Sequence, residues 1–166
     1  MPTDWDKASG ESMNYVNEIK ATLGFYSYAD ERDAAATHKE LCRVLQARLD
    51  RAAENAHLAS DFLRGPRGAD LERAMRNLKD DVEIFRDEVG SSYVDWKFPK
   101  SHIIREIIDK DMQIIRNSAT IVRLSEQLRE AALDSSLPVM LQRATEAADL
   151  LSKVSYLFSD RERLCR

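Results

Sequence analysis

The sequence predicts an all-α protein: an up-and-down antiparallel helical bundle of four long helices plus a shorter N-terminal helix. Three observations carry this. Apolar residues recur at spacings of three and four along most of the chain, which places them on one side of a helix. The 166 residues include only 5 Gly and 4 Pro, which argues for long helices and few turns. The turn-forming stretches between the periodic segments are short, and short connections join antiparallel neighbours.

The first helix is expected from about Ser9 to Leu23, with Gly24 as its C-cap. Trp5, Ser12, Val16, Ile19 and Leu23 fall on one side of it. An aromatic turn follows, "FYSY" at 25–28. The second helix is expected from near Asp30 to Leu63. Its stripe is His38, Leu41, Leu45, Leu49, Ala52, Ala56, Ala59 and Leu63, and "RGPRG" at 64–68 stops it. The third, about Asp70 to Val89, carries the cleanest seam: Leu71, Met75, Leu78, Val82, Phe85 and Val89 alternate steps of four and three. Such a heptad seam could close a core or join two chains.

The loop "GSSYVDWKFPK" at 90–100 leads to Ser101, a candidate N-cap for the fourth helix. That helix runs to about Ala132. Its wide apolar face, from Ile103, Ile104, Ile107 and Ile108 through Ile114, Ile115, Ile121, Val122 and Leu128, predicts a central position. "DSSLP" at 134–138 makes the last turn, with Ser136 as cap and Pro138 in the first turn. The fifth helix carries Leu137, Leu141, Ala144, Ala148, Leu151, Val154 and Phe158.

The length suits a single domain over 1–166. A formal net charge of −4 provides no basic patch and argues against nucleic acid as a partner. No apolar run reaches the length of a membrane span, and the N-terminus lacks the pattern of a signal peptide. The 2 Cys, Cys42 and Cys165, lie far apart, which suits a reducing, cytoplasmic setting.

Residues 51–57, "RAAENAH", admit three chemistries. Arg51 followed by His57 is similar to the Arg–His spacing of HEPN-type ribonucleases, in which the two residues act where protomers meet. The resemblance covers these seven residues and implies a dimeric RNA-cleaving site. The family carries the motif late in its chain, whereas here it lies in the second helix. Glu54-x-x-His57 is one quarter of a ferritin-like di-iron site, which requires a second such motif and two further Glu residues facing the core. No second Glu-x-x-His exists. On an ideal helix Glu54 lies roughly opposite the apolar stripe and His57 roughly 120° from it. The bland reading is a solvated face with an Arg51–Glu54 pair.

Polar residues that interrupt the apolar faces say more. His38 lies within the second stripe. Asp111 lies in the middle of the fourth helix's face, followed at heptad spacing by Ser118 and Ser125. An unpaired buried carboxylate is costly, so Asp111 requires a partner. Alternating helix direction brings the starts of the second and fourth helices to one end, with His38 and Asp111 at depths differing by about 3 Å. A His38–Asp111 pair is therefore expected. The loops 25–28 and 90–100 share that end, so Phe25, Tyr26, Tyr28, Tyr93, Trp96 and Phe98 are expected to gather there with Phe158. The expected binding residues are Tyr26, Tyr28, His38, Tyr93, Trp96, Phe98 and Asp111, either as a docking surface or as a lid over the core. A buried Trp96 would mean a lid.

No Gly-rich phosphate loop, Cys-x-x-Cys, His-Glu-x-x-His or nucleophile elbow is present. His38 and Cys42 share a helix face but are too few to bind a metal by themselves. "THKELC" around His38 lacks the small residues that follow the phosphorylated His of helical phosphotransfer domains. No catalytic residue, metal or cofactor is assigned. The expected function is a non-catalytic helical-bundle interaction module, an adaptor or assembly subunit, partnered by another protein or by itself. A HEPN-like ribonuclease dimer and a small-ligand sensor are the alternatives.

Overall fold

A computed structural model describes residues 1–63 and 65–166. The described residues form six helices and no strand: α1 (Asp4–Glu11), α2 (Met13–Leu23), α3 (Glu31–Phe62), α4 (Ala69–Gly90), α5 (Ser101–Leu133) and α6 (Leu137–Cys165). The four long helices, α3 to α6, pack antiparallel, and the two short ones precede them. No described helix is long and apolar enough to cross a membrane.

The N-terminal segment differs from the single helix expected from Ser9. It starts at Asp4, because Thr3 and Asp6 form a reciprocal capping box. It then breaks at Ser12, whose backbone (φ −118°, ψ 28°) is not helical. α2 ends at Gly24, whose φ of +81° suits a residue without a Cβ. Asp30 caps α3, accepting from the Asp33 backbone N–H at 2.8 Å. Ser101 is the first residue of α5, one place later than a cap. Its backbone N–H donates to Asp4 Oδ1 at 3.0 Å, so a carboxylate from α1 does the capping.

The chain divides into two compact units. The first comprises Met1–Val44, Ser91–Arg116 and Val154–Arg166; the second comprises Leu45–Gly90 and Asn117–Lys153. The first unit has an isoleucine-rich core from α5, with Ile104, Ile107, Ile108, Ile114 and Ile115 all buried. In the second unit the whole α4 seam, Leu71 to Val89, is buried within the chain. On α3 of the same unit Ala52, Ala56 and Ala59 are buried too, and Arg86 of α4 reaches Asp50 of α3 at 3.0 Å. The heptad polar positions of α5 find partners on α3 at the same spacing. Arg48 Nη1 donates to Ser118 Oγ at 2.8 Å, and Asn55 Nδ2 donates to Ser125 Oγ at 3.0 Å. Both pairs are 70 apart in sequence, as two parallel helices in constant register require.

On α6 the fully buried residues are Met140, Ala144, Ala147, Leu151, Val154 and Phe158. Leu137, Leu141 and Ala148, expected on this stripe, are only half-buried. The buried set continues in unbroken steps of three and four to Arg161 and Cys165.

Candidate functional site

The polar, aromatic end lies in the first unit. It is built from the extended turn after α2, the starts of α3 and α5, the 91–100 loop and the end of α6. An extended chain sends alternate side chains to opposite sides. Tyr26 and Tyr28 therefore both enter the interior, while Phe25 is exposed. Thr37 pins this turn to α3. Its Oγ1 donates to the Ser27 carbonyl at 2.9 Å and accepts from the Ser27 N–H at 3.0 Å.

Asp111 is the hub. Its Oδ2 accepts from the hydroxyls of Tyr26 at 2.6 Å and Tyr28 at 2.5 Å. Its Oδ1 accepts from Arg161 Nε in a close ion pair. Both side chains of that pair are 0% exposed. Arg161 uses all three nitrogens of its fork: Nη2 also donates to Tyr28 Oη at 2.7 Å and Nη1 to His38 Nδ1 at 2.8 Å. His38 and Asp111 thus belong to one network but do not bond to each other, contrary to the expected pair. A neutral imidazole offers one donor, whereas a buried carboxylate needs charge compensation, and the guanidinium supplies both.

Arginine cannot accept a hydrogen bond, so His38 Nδ1 must be the acceptor and Nε2 must carry the proton. Nε2–H then donates to Ser92 Oγ at 2.9 Å, and Ser92 donates on to Glu162 Oε1 at 2.7 Å. Cys42 Sγ lies 3.4 Å from the same Nε2. Burial, followed by the Arg161 charge, pushes the His38 pKa down to about 3. His38 is therefore neutral with its lone pair occupied. It has nothing with which to accept a proton from Ser92 or to take up a phosphoryl group. Burial alone would lower the Arg161 pKa, but Asp111 and Tyr28 outweigh it and hold the guanidinium charged well above its usual range. Burial, reinforced by the Asp111 charge, raises the Tyr26 pKa. Burial also raises that of Tyr28, against the opposing charge of Arg161. Cys42 and Cys165 are free and buried, and burial pushes both thiols up to about 11, which makes them poor nucleophiles.

Aromatic rings surround this network. Trp5 meets Tyr26 and Tyr28 edge-on, with centroids 6.0 and 5.9 Å apart. Trp96 stacks on Tyr28 at 5.0 Å, and Phe158 stacks on His38 at 6.0 Å. Trp96 is 4% exposed, so it is part of the lid. Of the seven expected site residues, Tyr26, Tyr28, His38, Trp96 and Asp111 come together in the interior. Tyr93 and Phe98 do not join them: they are 72% and 66% exposed on the outside of the same loop. Phe98 has φ +52°, a left-handed conformation unusual for an aromatic residue.

The residue missed from the sequence is Arg161. The signal was present: three and seven residues beyond Phe158 the buried stripe reaches Arg161 and Cys165. Arg51 and His57 are exposed and belong to the second unit. Arg51 lies 3.8 Å from Glu126 of α5 rather than pairing with Glu54, and His57 lies 3.3 Å from Asp61. Among the described residues no group of three or more His, Cys, Asp or Glu side chains is placed to hold a metal ion. Comparison with known proteins finds no matching family model, no similar curated protein and no similar solved structure.

Proposed function

We propose that this chain is a non-catalytic helical-bundle interaction module, an adaptor or assembly subunit, whose contact surface is the 91–100 loop. The partner is another protein or a second copy of the chain. One observation carries the reading: Tyr93 and Phe98 project into solvent from a loop anchored by buried Trp96. Ser92, bonded to both His38 and Glu162, holds the start of the same loop. A preorganised loop presents aromatic anchors at low entropic cost, and such residues dominate binding hot spots. The saturated interior supports a non-catalytic role, since its donors and acceptors already satisfy one another. The free thiols of Cys42 and Cys165 support placement in a reducing compartment such as the cytoplasm.

Photo-crosslinking in the native host tests this. A benzophenone amino acid at position 93 should give one discrete adduct, which is lost on Phe98→Ala. The same probe at position 84, where Ile84 is also exposed, should give none. Equal labelling from both positions, or none from 93, would refute the assignment.

A further inference from the structure

The second unit carries an open cleft of about 320 Å³ where α4 faces the end of α3. Ser60, Arg67, Arg76 and Lys79 line it, with Met75 as an apolar wall. α4 has four basic residues, and they divide into two kinds. Arg73 and Arg86, outside the cleft, are paired, with Asp70 at 3.8 Å and Asp50 at 3.0 Å. Arg76 and Lys79, inside it, make no ion pair or hydrogen bond among the described residues, although Glu72 and Asp80 line the same cleft. Arg67 is fixed in place: its Nη2 donates to the carbonyls of Ser60 at 2.6 Å and Leu63 at 3.3 Å, capping the end of α3. The other N–H groups of its fork have no acceptor among the described residues.

Arg67 and Lys79 are half-buried, whereas Arg76, Glu72 and Asp80 are exposed. Charges removed from water act more strongly, so the two half-buried cations, Arg67 and Lys79, outweigh the two exposed carboxylates and the cleft favours an anion. We infer that it is a binding site for a phosphoryl group, held by Arg67, Arg76 and Lys79. The choice of anion follows from counting donors. Three cations line one cleft, and a phosphoryl group offers three terminal oxygens where a carboxylate offers two. A preset guanidinium fork and an ammonium point charge are complementary ways of meeting such oxygens. The inference is independent of the role given to the 91–100 loop.

The test is a backbone-amide NMR titration at constant ionic strength. The probes are inorganic pyrophosphate, a short phosphoserine peptide and, as a carboxylate control, glutarate. Saturable shifts are expected at residues 60, 67 and 75–80 with the phosphorylated probes. Whichever of those two binds more tightly identifies a free or a peptide-borne phosphate as the source. Lys79→Gln and Arg76→Gln should each weaken binding by about tenfold, as expected for the loss of one charged hydrogen bond. Lys79→Arg should retain binding, and Arg73→Gln should leave it unchanged. Non-saturating drift like that of chloride, glutarate binding as tightly as pyrophosphate, or indifference to Lys79→Gln and Arg76→Gln would each overturn the site.

Discussion

Arg161 and Asp111 form an ion pair in which neither side chain touches solvent, and two tyrosine hydroxyls and one imidazole satisfy what the pair leaves over. Burying two charges costs several kcal/mol per ion, and mutual attraction repays this only when every remaining hydrogen bond is made. Here they are made. The pair is best understood as a device that fixes how α3, α5 and α6 meet in the first unit.

Removing one partner should therefore be worse than removing both. Asp111→Asn or Arg161→Met should each cost about 3–5 kcal/mol, because a buried charge is left uncompensated. The double variant Asp111→Leu/Arg161→Met should recover much of that loss. Urea unfolding of all three variants measures this, and additive losses in the double variant would show that the two charges do not depend on each other.

Stability should fall on mild acidification through His38. Its pKa is about 3 when folded against 6.5 ordinarily, so the folded state favours the neutral form. The contribution is complete above pH 6.5 and is lost as the pH falls from there toward 3. Each pH unit in that window should remove about 1.4 kcal/mol from this group. His38→Gln should flatten the slope of unfolding free energy between those limits; an unchanged slope would assign the pH dependence elsewhere.

Trp96 and Phe98, two positions apart, should behave oppositely. Trp96→Ala should destabilise by about 3–5 kcal/mol, since it opens a cavity over Tyr28. Phe98→Gly should be neutral or stabilising by up to about 1 kcal/mol, because glycine adopts positive φ without the Cβ clash. Melting curves for the two variants are sufficient to check this.

Arg51→Ala with His57→Ala should change stability by no more than about 0.5 kcal/mol, as at ordinary surface positions. The purified wild-type protein should not cleave RNA. Cleavage that disappears on His57→Ala would establish the ribonuclease alternative.

In the core, Leu78→Ala and Ile115→Ala should each cost about 2–5 kcal/mol through lost transfer energy and a residual cavity. Denaturant midpoints read this directly, and insensitivity at both would contradict their burial.

The four long helices and most of their apolar faces were legible where periodicity was long, whereas the break at Ser12 that divides the N-terminal segment into two helices was not. The α4 seam and the α5 isoleucine face are single patterns repeated over several turns, and repetition averages out local noise. The requirement that Asp111 find a partner was legible too, because a carboxylate on an apolar face is costly in any fold that buries that face. The partner's identity was not. Arg161 lies 50 residues from Asp111 in sequence, and nothing local distinguishes it from the neighbouring Arg163, which is exposed and pairs with Asp160. Only the phase of the α6 stripe separates them, and that phase was blurred by half-buried Leu137, Leu141 and Ala148. The loops were the least legible. Tyr93, Trp96 and Phe98 have similar chemistry and no period, so which ring turns inward depends on where Tyr28 stands to receive it. The sequence by itself determined the four long helices, the buried faces of α4 and α5 and the need to neutralise Asp111. Tertiary structure alone decided that Arg161 does the neutralising, that Trp96 closes the lid and that Tyr93 and Phe98 remain outside it. Those choices depend on distances between elements remote in the chain, which no local spacing encodes.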